Sequence, residues 1–136
     1  MKDLLSTNCF DFEESIVLLG SCLVGREKIL EEVKKFSSNI YTVCLESTHF
    51  NMVVTKVLDV IAREKTKKIA IVTVDKSPHC VQLHYLTKEI ENILPNTKVE
   101  IKNYVVEKEH LVEIPVEVLS LSKNLSKLKK VMEGEN

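Results

Sequence analysis

The sequence lacks the features that mark membrane, nucleic-acid-binding and secreted proteins. No apolar run reaches the roughly 18 residues that a membrane-spanning helix needs, and no apolar stretch of signal-peptide length opens the chain. The 19 basic and 20 acidic residues are mixed along the chain and give a formal net charge of −1. No broad positive field is therefore available to attract nucleic acid or an anionic membrane. We predict a cytoplasmic protein that binds neither.

Cysteine is too sparse for a disulfide-stapled scaffold. The chain has four cysteines, Cys9, Cys22, Cys44 and Cys80, and no two of them form the Cys-x-x-Cys pair of a structural zinc site. Without an export signal, we expect all four to be reduced thiols. Cys44 falls within a predicted strand, where a thiol usually packs as a small apolar side chain.

Glycine-rich nucleotide-binding motifs are also missing. Gly20 and Gly25 have the spacing of a phosphate-binding loop, but Arg26 and Glu27 follow where a Lys and a Ser or Thr would be required. The three-glycine fingerprint of dinucleotide-binding domains is absent as well. The two glycines are most simply part of a turn that precedes a helix.

The remaining composition is that of one globular domain. The chain has 136 residues, of which 44% are hydrophobic and 29% charged, whereas a disordered chain would combine low hydrophobicity with a large net charge. No fixed-period repeat, low-complexity tract or linker divides the chain. We therefore predict a single domain over residues 1–136.

Strand-like and helix-like segments alternate along the chain. Short apolar or β-branched runs predict strands at 15–19, 40–45, 69–74 and 99–106. Apolar residues at helical spacing predict helices at 26–36, 50–64 and 78–93, and a terminal helix with Leu121, Leu125, Leu128 and Met132 on its apolar face. The segment 111–114 fits either a short edge strand or the first turn of that helix.

This alternation predicts an α/β fold. Strands connected through helices form a largely parallel sheet that is covered on both faces, with right-handed crossovers. The predicted architecture is a three-layer α/β/α Rossmann-like sandwich with a mostly parallel sheet of four to five strands. The usual arrangement of three consecutive β–α units places the first strand between the second and the third.

Polar and thiol side chains follow three of the predicted strands. Because parallel strands end at the same edge of a sheet, and ligands bind beyond their carboxyl ends, we expect these residues to converge. They are Ser21 and Cys22 after the first strand, His49 and Asn51 after the second, and Asp75, Ser77, His79 and Cys80 after the third.

Cys80 and His84 form the sharpest local feature. Ser77 and Pro78 have the composition of a helix start, with Ser77 as the capping residue, so Cys80 would be the third helical residue. The positive end of a helix and a nearby imidazolium both favour a thiolate. Cys80 and His84 are four residues apart and would share one helix face, which suits two metal ligands. A solvated surface position is the simplest alternative for His84.

The first functional hypothesis is a thiol-redox or metal-assisted site. In it, Cys80 acts as nucleophile or metal ligand, Cys22 as resolving thiol or second ligand, and His79 or His84 tunes the thiol. Asp75 would orient the group.

Two alternatives belong to other functional classes. One is a non-enzymatic regulatory module that binds a small anion or a nucleotide-like molecule through Ser21, Ser77, His49 and Asn51. The other is a subunit of a homodimer or of a larger complex, which the low aromatic content of 5% would suit.

Overall fold

The computed structural model describes residues 1–122 and 125–134 of the chain. Within them, one sheet contains the strands β1 (Lys2–Asp3), β2 (Ser15–Gly20), β3 (Ile40–Val43), β4 (Lys68–Val74), β5 (Glu100–Glu107) and β6 (His110–Glu113). The helices are α1 (Glu27–Lys34), α2 (Phe50–Ala62), α3 (Pro78–Leu83), α4 (Leu86–Ile93), α5 (Val116–Ser122) and α6 (Leu125–Met132). None of the helices in these residues is long and apolar enough to cross a membrane.

The sheet is mostly parallel, which confirms the predicted α/β class. Its strand order is β1-β3-β2-β4-β5-β6, and only the β5–β6 pair of the described strands is antiparallel. As predicted, β2 lies between β3 and β4. The carboxyl ends of these three strands therefore meet at one edge of the sheet.

Helices cover both faces of the sheet because the central strands are apolar on both sides. On one face, Ile16 and Ile71 belong to a core completed by residues of α2, α3 and α4. On the other face, Val17 and Val72 belong to a second core that includes Ile29 of α1. Neighbouring residues of one strand thus point into different cores, as the two-residue period of a strand requires. The predicted three-layer sandwich is confirmed.

Two edge strands raise the strand number above the four or five that we predicted. β1 is only two residues long and pairs with β3 through Lys2 and Asp3, so it has no apolar pattern. β6 pairs with β5 across a turn in which Lys108 and Glu109 have positive φ angles of 48° and 68°. Such turns usually contain Gly, Asn or Asp, so this one lacks its usual sequence signal.

The predicted helix at 78–93 is interrupted at His84 and Tyr85. The amide groups of these two residues donate to the carbonyl oxygens of Val81 and Gln82, three residues back, instead of four back as in an α-helix. The tighter turn separates α3 from α4. It accompanies the burial of the His84 side chain, which is described with the site below.

The end of the chain differs from the predicted terminal helix. The segment at His110–Glu113 is a strand, and two helices follow it. On α6, Leu125 and Met132 of the predicted apolar face are largely exposed, and Leu128 is half-buried. The side chain of Leu121 lies outside the described part of the structure.

Candidate functional site

A cleft of about 180 Å³ opens at the carboxyl ends of β2, β3 and β4. Three cysteines line it, and each comes from the exit of a different strand: Cys22 follows β2, Cys44 follows β3 and Cys80 lies in the helix after β4. The lining also includes Ser21, Glu46, Thr73, Ser77 and His79. The predicted convergence at this edge is therefore present for residues that are far apart in the sequence.

Cys22 lies in a 3-10 turn that follows β2 without a gap. The turn spans Ser21–Leu23, and the buried Leu23 side chain anchors it in the core under α1. Cys22 itself is exposed. A rigid strand and a buried neighbour thus hold the backbone of an accessible thiol.

Cys80 is the third residue of α3 and is half-buried. Pro78 begins the helix as predicted, and Leu83 anchors its other end in the core. Ser77 precedes the helix, but its hydroxyl makes no capping hydrogen bond to a described residue, so the prediction that Ser77 caps this helix is wrong.

The sulfur atoms of Cys22 and Cys80 are 3.6 Å apart. This distance is a direct contact between two free thiols, since a disulfide bond would bring the sulfurs to about 2.0 Å. Partial burial raises the pKa of Cys22, and the hydrogen bond to Cys80 and the charge of that residue raise it further. Cys22 therefore keeps its proton at neutral pH.

Cys44 is a cleft-lining thiol that the sequence prediction did not include in the site. We expected it to pack within a strand, but β3 ends at Val43, and Cys44 is half-buried in the turn that follows. Hydrogen bonding by the Ser47 side chain and by the backbone of Glu46 and Ser47 lowers the pKa of Cys44, and the Ser47 hydroxyl also donates to the Cys44 carbonyl oxygen at 3.3 Å. Partial burial and the Glu46 carboxylate oppose this effect only in part. Because Cys44 and Leu45 are apolar and polar residues begin only at Glu46, the residue pattern contains no signal that the strand ends at Val43.

His84 is buried beneath the cleft and does not lie on the surface. Its side chain is 1% exposed, with Nε2 2.8 Å from Thr73 Oγ1 and Nδ1 2.8 Å from Asn103 Oδ1. Burial lowers the pKa of His84, more strongly than Asn103 and Asp75 raise it, so the ring is neutral. In the tautomer that satisfies these contacts, Nδ1–H donates to Asn103 and Nε2 accepts from the Thr73 hydroxyl.

These contacts disagree with the predicted pair of metal ligands, Cys80 and His84. Both ring nitrogens of His84 are already used in hydrogen bonds. In the part of the chain that the structure describes, no group of three or more His, Cys, Asp or Glu side chains is arranged to hold a metal ion. The role of His84 at this position is therefore structural, because its ring joins Thr73 and Asn103 in a buried polar network.

The other predicted site residues divide into two groups. Ser21, Ser77 and His79 line the cleft beside the thiols. Asp75, His49 and Asn51 are exposed and do not belong to the cleft lining formed by the described residues. The Asp75 carboxylate instead accepts the backbone N–H of Lys76 at 2.9 Å, and His49 precedes α2 without a side-chain capping bond to a described residue.

Comparison with known proteins gives the family and nothing more specific. No curated protein and no solved structure matches this chain. A family model described as "Rossmann-like domain" matches residues 12–136, which cover the whole sheet except β1. The chain therefore belongs to the Rossmann-like domain family.

Proposed function

We propose that Cys22 and Cys80 are a redox-active dithiol that is oxidised to a disulfide when the protein reduces a small disulfide substrate. The contact of 3.6 Å between the two sulfur atoms is the observation that supports this proposal. Formation of the bond requires the sulfurs to approach by about 1.5 Å. Rotation of the exposed Cys22 side chain can supply that movement without displacing the core.

The reaction transfers two electrons from the protein to the substrate. A mixed disulfide between Cys80 and one half of the substrate is the intermediate. Cys22, once deprotonated, attacks the sulfur of Cys80, and the bond between Cys80 and the substrate sulfur breaks. The Cys22–Cys80 disulfide forms, and the substrate half leaves as a thiolate. In the net reaction, one protein dithiol and one small disulfide become one protein disulfide and two small thiols.

His79 is the residue in the cleft that suits the proton transfer in this step. It is exposed, it adjoins Cys80 in the sequence and it lines the same cleft. Cys22 must lose its proton before it attacks, and its raised pKa makes this loss unfavourable at neutral pH. A neutral imidazole can accept that proton.

A titration in glutathione redox buffers tests the proposal. The protein is equilibrated at increasing ratios of oxidised to reduced glutathione, its free thiols are alkylated, and the intact mass is measured. We expect two thiols per molecule to be lost in one two-electron transition without a stable glutathione adduct. Cys22→Ser and Cys80→Ser should each abolish the transition, whereas Cys9→Ser should leave it unchanged.

Two results would contradict the proposal. One is that all four thiols remain free when glutathione is fully oxidised. The other is that Cys80→Ser still loses two thiols with the wild-type midpoint. After either result, the cleft would be better explained as a binding site for a small anion. A thermal shift caused by phosphate, of equal size in wild type and in Cys80→Ser, would support that explanation.

A further inference from the structure

The third thiol of the cleft gives a route by which a substrate reaches the dithiol. We propose that Cys44 makes the first covalent contact with the substrate, and that this substrate is a low-molecular-weight disulfide with small substituents. The inference rests on the dithiol chemistry proposed above and names the substrate class for the same site.

The position of Cys44 is the first support. It is half-buried and lines the same cleft as Cys22 and Cys80, but it comes from a different strand exit. Val43, the residue before it, is paired with Gly20, two residues before Cys22. The register of the sheet therefore fixes Cys44 beside the turn that contains Cys22.

The chemical state of the three thiols is the second support. Thiolates attack disulfides, and thiols do not. Cys22 holds its proton and is engaged with Cys80, whereas hydrogen bonds from Ser47 and from the backbone stabilise the thiolate of Cys44. The shifts give Cys44 a larger thiolate fraction than Cys22, so of these two cleft thiols Cys44 is the better suited to attack first and Cys22 to act last.

The volume of the cleft limits the substrate. About 180 Å³ accommodates one half of a compound such as bis(2-hydroxyethyl) disulfide, and the proposed substrate is of that size. Apolar side chains of Val43, Leu45 and Leu83 form part of the wall, so the substituent on sulfur should be short and only weakly polar.

The proposed sequence of exchanges balances in atoms and electrons. The Cys44 thiolate attacks one substrate sulfur, the substrate S–S bond breaks, and the first thiolate leaves and takes a proton from water. The Cys80 thiolate then attacks the substrate sulfur held by Cys44, and Cys44 leaves as a thiolate. Because thiols of low pKa leave more readily, the same hydrogen bonds that activate Cys44 also favour its release. Cys22 resolves the intermediate on Cys80 as described above.

Kinetics with bis(2-hydroxyethyl) disulfide as the probe separate this inference from the proposed function. The rate of Cys22–Cys80 disulfide formation is measured by acid quenching, alkylation and mass spectrometry. In Cys44→Ser we expect this rate at neutral pH to fall about tenfold, because only a few per cent of an ordinary thiol is ionised there. The midpoint of the glutathione titration should not change. Cys9→Ser is the matched control and should change neither quantity.

A second variant tests the first covalent step without the dithiol. In the double variant Cys22→Ser, Cys80→Ser, the probe should form an adduct on Cys44 well before it reacts with Cys9. A wild-type rate of disulfide formation in Cys44→Ser would overturn the inference, and so would equal reaction of Cys9 and Cys44 in the double variant. Failure of the wild-type protein to form any Cys22–Cys80 disulfide would instead overturn the proposed function. Circular dichroism and thermal unfolding of each variant show that the comparison concerns folded protein.

Discussion

Replacement of His84 by alanine should strongly destabilise the fold, because His84 is the centre of a buried polar network. Its ring bonds to Thr73 and to Asn103, and Asn103 also bonds to the Thr87 hydroxyl, with Nδ2 3.0 Å from Thr87 Oγ1. All four residues are buried. Alanine would remove the hydrogen bonds that the ring makes with the Thr73 hydroxyl and the Asn103 amide oxygen, and each lost bond costs about 1 kcal/mol, because Thr73 Oγ1 keeps the Val74 carbonyl oxygen at 3.1 Å and Asn103 Oδ1 keeps the Thr87 hydroxyl at 3.2 Å. With the lost packing of the ring, we expect the free energy of unfolding to fall by about 3–5 kcal/mol.

His79→Ala is the matched control, since His79 belongs to the same segment but is exposed. Its effect on the free energy of unfolding should stay within about 0.5 kcal/mol. Urea unfolding followed by circular dichroism above neutral pH gives both values. The network argument would be refuted if His84→Ala lost less than about 1 kcal/mol, or no more than His79→Ala.

Three further predictions concern titration and hydrogen bonding. Burial lowers the pKa of His84 in the folded state, so the unfolded chain binds a proton first as the pH falls below about 6.5. The free energy of unfolding should then drop by up to about 1.4 kcal/mol per pH unit, and this pH dependence should be absent from His84→Ala. Alkylation by iodoacetamide should show a pH midpoint below that of free cysteine for Cys44 and above it for Cys22, and equal midpoints would contradict the assignment of the first and last thiols. Tyr41→Phe should lower the free energy of unfolding by about 1.5–3 kcal/mol in urea titrations, because the hydroxyl donates a 2.5 Å hydrogen bond to the Glu13 carboxylate; a loss below about 0.5 kcal/mol would argue against a charge-assisted bond.

The parallel sheet and the meeting of Cys22 with Cys80 could be predicted because both follow from local patterns. Apolar runs identify the central strands, helices between the strands require parallel crossovers, and parallel crossovers place all strand exits at one edge. The 3.6 Å distance itself could not be predicted. It depends on the 3-10 turn Ser21–Leu23 and on side-chain rotamers, and neither has a recognisable sequence pattern.

The role of His84 could not be predicted because burial overrode the local pattern. His84 and Thr87 look like the solvent-facing side of a helix, since both are polar. In the fold they are buried together with Thr73 and Asn103, and the four side chains satisfy one another. Polar residues whose partners come from other strands carry no signal of burial in a single sequence.

Cys44 was missed for a different reason. The predicted strand extended two residues too far, which placed Cys44 inside the sheet instead of at its edge. Strand ends are the least reliable part of a sequence-based prediction, and a shift of this size moves a thiol from a packed position to the wall of a cleft. The candidate site therefore contains one more thiol than the sequence indicated.

Thr73 connects the buried network to the candidate site. It lines the cleft, while its hydroxyl contacts His84 in the segment that also carries Cys80. We therefore expect changes to His84 to alter the position of α3 and, with it, the separation of the two sulfur atoms. This connection explains why a polar network lies directly below the thiols and why its loss should affect both stability and disulfide formation.

The most direct test of the account is to identify the disulfide that forms first. Reduced protein is treated with one equivalent of bis(2-hydroxyethyl) disulfide, the free thiols are blocked in acid, and the cross-linked peptides are sequenced by mass spectrometry. The account predicts one intramolecular bond between Cys22 and Cys80, with Cys9 and Cys44 recovered in alkylated form. A bond between any other pair as the main product, or four alkylated thiols, would contradict the claim that the strand exits assemble a dithiol.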